Sequence, residues 1–256
     1  MTRYDDINDW YNTDMFMENI KSQIDNILEI YITGGEPTII DKNYEMLEYF
    51  IEQGKSKNIF LKLNTNMTNM QDTFLNLIGQ FNRVVLFASI DGFGPMQEYI
   101  RYPSKWQQID KNLNKLVEKT KDNITINVSP VIQSTNLGLI TELFEYLENF
   151  NRIHNKTIVV IHPIILHGPI HLDLLYLPID YKKTCWDRIE QWLEKSCKFQ
   201  PAAFHTTITA LKNKCLIEVD GEEQLNRFME FNNMFDIHRN VSLQDVNSEL
   251  YQILNK

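Results

Sequence analysis

The chain has 256 residues, 43% hydrophobic and 23% charged, enough apolar material for the core of one large domain or two small ones. A net charge of −9 excludes nonspecific nucleic-acid binding as the main task, because phosphate neutralisation needs clustered Lys and Arg. The longest apolar run, TIVVIHPIILHGPI, is broken by His and Pro and is too short to span a bilayer, and the acidic start MTRYDDINDWYNTD has no signal-peptide core, so no membrane association is expected.

In chain order, a helical face of Phe16, Ile20, Ile24, Ile27 and Leu28 comes first. A strand at 29–33 (EIYIT) follows, then a helix carrying Met46, Leu47, Phe50 and Ile51. The next strand, 59–64 (IFLKLN), leads to a helix with Phe74, Leu77, Ile78 and Phe81. A strand at 84–90 (VVLFASI) precedes a helix with Trp106, Ile109, Leu113, Leu116 and Val117, for which Ser104 is the expected N-cap, with Gln107 three residues on. Strands at 124–131 (ITINVSPV) and 157–166 (TIVVIHPIIL) flank a helix with Leu137, Ile140, Phe144, Leu147 and Phe150. Several of these strands are continuous apolar runs, which suits strands covered on both faces. Regular strand–helix alternation predicts right-handed βαβ units and a parallel sheet or barrel. The rhythm changes near residue 172. Residues 1–171 are expected to form the α/β part and residues 172–256 a helical C-terminal appendage, with Trp186, Ile189 and Leu193 on one helix face.

In such folds ligands meet the C-terminal ends of the strands. The first end is Thr-Gly-Gly-Glu-Pro, Thr33 to Pro37. Gly34 and Gly35 permit positive φ and leave the backbone open to a ligand, and Glu36 can accept from an ammonium group, although the same residues also make an ordinary turn. The second, Leu63 to Asn69, offers Thr65 and Asn66, which are also common turn and cap residues. The third carries Ser89 and Asp91, placed on one side by strand alternation, and then Arg101, which can grip a carboxylate at two points or make a surface ion pair. The fourth carries Asn127 and Ser129 on one face, with Gln133 beyond. His162, His167 and His171 fall within a short span, but their spacing around two prolines fits no regular metal geometry. The chain has no nucleophile elbow, phosphate loop or dinucleotide fingerprint.

Taken together and in order, these pieces resemble the radical S-adenosylmethionine (radical SAM) enzymes. GGEP at 34–37 resembles the family's glycine-rich motif, which holds the methionine amine of SAM. LNTNMT at 63–68 resembles the segment after the next strand, with Met67 in place of the usual Gly. ASIDG at 88–92, followed by EYIRYPSKWQQIDKNLNKL, resembles the strand and loop where a Ser and an Arg lie near the SAM ribose and carboxylate. VIQSTNLGLITEL resembles the next connection. The likeness covers about residues 14–170, and the wording onward to LP at 177–178 is nearest the subgroup with a twitch-type auxiliary domain, which acts mostly on peptides or other ribosomally derived substrates.

The resemblance implies a partial (β/α)6 radical-SAM-type barrel with its first strand missing. It implies SAM and a [4Fe–4S] cluster as cofactors, and a SAM site of Gly34, Gly35, Glu36, Pro37, Thr65, Asn66, Ser89, Asp91, Arg101 and Asn127. It also implies reductive cleavage of SAM to a 5′-deoxyadenosyl radical that acts on a peptide or small molecule. The cluster signature Cys-x3-Cys-x2-Cys is not in this sequence. The only cysteines are Cys185, Cys197 and Cys215, an odd and widely spaced set that argues against disulfides, fits a reducing cytoplasm and reads as inert thiols. The expectation is the downstream part of a split or truncated enzyme, whose upstream polypeptide carries the cluster loop. The alternative is a cluster-free relative that binds SAM, a nucleoside or a peptide without catalysis.

Overall fold

The computed structural model describes residues 14–119, 122–155, 159–196 and 201–255. Helix α1 (Asp14–Gln23) precedes β1 (Glu29–Ile32), and strand and helix then alternate: α2 (Asp41–Glu52), β2 (Phe60–Thr65), α3 (Asp72–Ile78) and β3 (Arg83–Ala88). Two consecutive helices follow, α4 (Pro95–Ile100) and α5 (Trp106–Lys119), then β4 (Ile124–Val128), β5 (Val131–Ile132), α6 (Ile140–Ile153), β6 (Val159–Ile161) and β7 (Ile164–Ile165). The remainder is helical: α7 (Ile179–Ser196), α8 (Ala202–Leu216), α9 (Glu222–Arg239), α10 (Leu243–Val246) and α11 (Ser248–Leu254).

The architecture is α/β, with a parallel five-stranded sheet in the order β1-β2-β3-β4-β6 and a two-stranded sheet of β5 and β7. Phe60 N bonds Leu28 O where Glu29 and Phe60 are register partners. By the same rule, the bond from Ser129 N to Ala88 O sets Ser129 beside Ser89, and that from His162 N to Val128 O sets His162 beside Ser129. Paired residues in a sheet point to one face. One face is buried: Ala88, Val128 and Ile161 are at most 1% exposed. The other is half-open and partly polar, with Ser89, Asn127, Ser129 and His162 all of intermediate exposure.

Two expected strands are each cut in two. The run 124–131 breaks at Ser129–Pro130 and the run from 159 breaks at His162–Pro163; residues 157 and 158 lie outside the described set. Proline has no N–H for the ladder, so Pro130 removes the rung it would give to β6, while the bonds from His162 N to Val128 O and from Ile164 N to Pro130 O remain. Pairing resumes with Val131 beside Ile164. Leu28 is 69% exposed and does not belong to the buried face of α1, where only Met17 is buried.

The chain divides into two compact units, residues 1–87 with 112–126 and residues 88–111 with 127–256; position 171/172 falls inside the second. The first buries Leu47 and Phe50 of α2, Leu61 and Leu63 of β2, Phe74 and Ile78 of α3, and Leu113 of α5, all fully. In the second, Phe144 of α6, Trp192 of α7 and Phe204 of α8 form a ring cluster with centroids 4.9 to 6.0 Å apart. Also in the second unit, α9 is latched to α4: the buried Tyr99 hydroxyl lies 2.9 Å from both Asn232 Oδ1 and Asp236 Oδ1, and Arg239 donates to Tyr99 O. Ser104 does not cap α5. Glu98 Oε1 accepts from Trp106 N at 3.0 Å, and Ser104 Oγ is buried without a partner among the described residues.

Candidate ligand-binding site

In the first unit, β1 stops at Ile32 and the backbone turns through Gly34 and Gly35 at φ +91° and +54°. A Cβ at either would meet nothing within 4 Å, so glycine is needed for its backbone angle and the chain there faces open space. Both glycines line a cavity of about 670 Å³, whose walls include Ile20, Ile30, Met46 and Phe50.

Glu36, the next residue, is held by four hydrogen bonds. Its Oε1 accepts from Thr38 Oγ1 at 2.7 Å, from Thr65 Oγ1 at 2.9 Å and from Thr38 N at 3.4 Å, while Oε2 accepts from Asn66 N at 2.7 Å. The carboxylate thus caps the 3₁₀ turn Pro37–Ile39, whose first position is the buried Pro37, and ties the end of β1 to the end of β2. Thr65 Oγ1 also accepts from Met67 N, and Asn66 Oδ1 accepts from Thr68 N and Thr68 Oγ1. Met67 sits at φ +62°, the backbone region that favours glycine. Full burial of its side chain and the bond from Asn112 Nδ2 to its carbonyl, 2.7 Å, offset that strain. Glu36 Oε2 has one donor among the described residues, so a further lone pair is open to a ligand.

In the second unit, β3 ends at Ala88, so strand alternation does not extend to Asp91. Ser89 remains on the half-open face, whereas Asp91 is buried. Asp91 Oδ1 accepts from Val131 N at 2.8 Å, taking the rung that the diverging backbone of β3 no longer fills. Asp91 Oδ2 accepts from Arg101 Nε at 2.6 Å. The Arg101 side chain is 35% exposed, and its two terminal nitrogens have no partner among the described residues. An arginine held by Nε and open at both terminal nitrogens presents a two-point grip for a carboxylate or vicinal hydroxyls. Asn136 Nδ2 donates to Asp91 O and Val131 O, and Gln97 Oε1 accepts from Asp91 N and Gly92 N.

Gly34, Gly35, Glu36, Pro37, Thr65 and Asn66 therefore come together in one unit, and Ser89, Asp91, Arg101 and Asn127 lie in the other. Reading by sequence missed Gln97 and the row Ser89–Ser129–His162. Register, which joins that row, is non-local and leaves no mark in a single strand. Burial lowers the His162 pKa, which favours the neutral imidazole.

Among the described residues the thiols do not fit an iron–sulfur cluster. Cluster ligands are thiolates, but Cys185 and Cys215 are buried and burial pushes each pKa up to about 12. Cys197 lies outside the described residues. Among the described residues no three His, Cys, Asp or Glu converge on a metal position, His162, His167 and His171 included, and His171 instead packs on Phe231 at 4.9 Å. Among them, too, no helix is long and apolar enough to cross a membrane.

The sequence profile of the Radical SAM superfamily matches residues 3–147. No curated protein matches the chain. Native anSMEcpe, solved with bound AdoMet and the Cp18Cys peptide, is 16% identical over 71% of this chain and 52% of its own, with a TM-score of 0.49. Streptococcus suis SuiB bound to the precursor peptide SuiA is 13% identical over 70% of this chain and 39% of its own, with a TM-score of 0.45. SuiB bound to S-adenosylmethionine is 16% identical over 70% and 40%, with a TM-score of 0.47. The chain thus spans about half, or less, of the length of these structures.

Proposed function

The chain belongs to the radical SAM superfamily, and from that premise we propose that it binds S-adenosylmethionine. The observation that carries this reading is the Gly34–Glu36 turn. It joins glycine backbone facing open space to a fixed carboxylate with a lone pair to spare, which suits the ammonium of an amino acid. Gly34, Gly35, Glu36 and Pro37 are assigned to the methionine amine, and Thr65 and Asn66 to holding Glu36 in place. On their own geometry, Arg101 is assigned to a carboxylate and Ser89 to a ribose hydroxyl, with Asp91 orienting Arg101 and Asn127 beside Ser89's strand on the open face.

Family membership implies a [4Fe–4S] cluster and SAM cleavage, but among the described residues the thiols of Cys185 and Cys215 do not fit the cluster. We propose a peptide as the substrate class; anSMEcpe and SuiB have been solved with peptides bound, which makes a peptide the first substrate to test. Calorimetry with SAM on the purified chain tests the binding site. Glu36→Gln and Arg101→Ala are each expected to weaken binding about tenfold, the loss of one charge-assisted contact. Unchanged affinity in both would remove the assignment. Anaerobic addition of iron and sulfide, followed by visible absorbance, separates the two readings of activity. A cluster on this chain alone would support autonomous cleavage, and no uptake would favour a SAM-binding module without catalysis of its own.

A further inference from the structure

Gln97 of α4 is fully buried, and a buried side-chain amide costs free energy unless its polar atoms are paired. Among the described residues its side-chain bonds all go to one short turn. Oε1 accepts from Asp91 N at 2.7 Å and Gly92 N at 3.2 Å, and Nε2 donates to Ser89 O at 3.4 Å. The turn is pressed onto α4 as well, because a Cβ at Gly92 would lie 2.6 Å from Met96 Cγ and 3.1 Å from Gln97 N. At this turn β3 ends and the chain must still deliver Asp91 to both Val131 N and Arg101 Nε. A side-chain amide therefore supplies bonds that a neighbouring strand would otherwise make.

We infer that Gln97 is a positioning residue: by fixing the turn Ser89–Gly92 it fixes the Asp91 carboxylate, and through it the direction in which Arg101 presents its terminal nitrogens. The effect on ligand affinity rests on the SAM reading above; the effect on Arg101 does not. A bland packing role for Gln97 predicts lower stability without specific coupling to Arg101. A positioning role predicts that once Gln97 is gone, Arg101 no longer contributes.

The test uses the full chain and Gln97→Met, which keeps the volume and removes both acceptor and donor. SAM affinity is measured by calorimetry for the wild type, Gln97→Met, Arg101→Ala and the double variant. Gln97→Met is expected to weaken binding about tenfold, and the double variant to bind no more than about twofold weaker than Arg101→Ala alone, since coupled sites are not additive. Nitrogen-15 NMR supplies the readout independent of SAM. The Arg101 Nε–H signal should exchange at least about tenfold faster in Gln97→Met than in the wild type. If Gln97→Met does not fold, exchange in the wild type decides: the Asp91, Gly92 and Arg101 Nε–H protons should open together with one protection factor. Additive losses in the binding cycle, an unchanged Arg101 Nε–H signal in Gln97→Met, or separate protection factors in the wild type would overturn the inference. If the wild type fails to bind SAM, the proposed function falls while the exchange measurement still decides the role of Gln97.

Discussion

Glu36 is the tie between the ends of β1 and β2, and its removal gives a prediction with a definite size. Glu36→Ala deprives Thr38 N, Thr38 Oγ1, Thr65 Oγ1 and Asn66 N of their acceptor at once. The two hydroxyls can rotate toward other partners, but the two backbone N–H groups cannot. The contact to Thr38 N is long, at 3.4 Å, so most of the loss falls on Asn66 N, whose bond is 2.7 Å. An orphaned, part-buried donor costs about 1–3 kcal/mol, and the lost charge-assisted bonds bring the sum to about 3 kcal/mol. For a chain of this size that corresponds to a melting temperature lower by about 6–12 °C. Glu36→Gln behaves differently. Its carbonyl oxygen can take Asn66 N while its NH₂ donates to the threonine hydroxyls, so the expected cost is about 1 kcal/mol. Urea unfolding followed by tryptophan fluorescence and thermal melts by circular dichroism measure both variants. If Glu36→Ala unfolds at the wild-type midpoint, or if the two variants lose equal stability, the carboxylate is not the tie described here.

Cys185 and Cys215, whose thiols burial pushes from the ordinary 9.0 up to about 12, should resist a thiol reagent at pH 8 in the folded protein and react only on unfolding, as mass spectrometry of the labelled peptides would show. Between about pH 9 and 12 the unfolded chain releases these two protons and the folded one keeps them, so stability is full below pH 9 and falls as pH rises, by up to about 1.4 kcal/mol per pH unit for each thiol; Cys→Ala variants should flatten this part of the profile. Gly92→Ala should cost about 1–3 kcal/mol in urea unfolding, because its Cβ would collide with Met96, whereas Gly34→Ala meets no neighbour and should cost only about 1–2 kcal/mol, from its positive φ. Tyr99→Phe removes the hydroxyl shared by Asn232 and Asp236 and should lower stability by about 1–2 kcal/mol, with faster amide exchange in α9 as the local signature.

The alternation of strands and helices, and core faces such as Leu137–Phe150, were legible because period and burial are local properties of the chain. Leu28 misled because an apolar residue next to a helical stripe need not lie on it. Ser104 misled because a cap is chosen by proximity in space, and Glu98 reaches Trp106 N across the tight turn between α4 and α5. The glycine pair signals positive φ because it lacks a Cβ, and both residues adopt it. The four bonds on Glu36 were not readable, because Thr65 and Asn66 sit in another stretch of the fold and the two bonds from Thr38 depend on a folded turn. The same holds for Gln97, a residue with no motif of its own, and for the row of Ser89, Ser129 and His162, which exists only through register.

The two-faced sheet constrains how this protein can change over time. Along β3, β4 and β6 a position sealed against the core is followed by one that opens on the other side: Ala88 then Ser89, Val128 then Ser129, Ile161 then His162. The fold should therefore tolerate substitution in a flicker, every second residue, and a saturation scan of these strand ends read for stability should look like a comb. The open teeth can drift to new polar chemistry one at a time while the sealed ones keep the scaffold, so a new ligand can be acquired without renegotiating the fold.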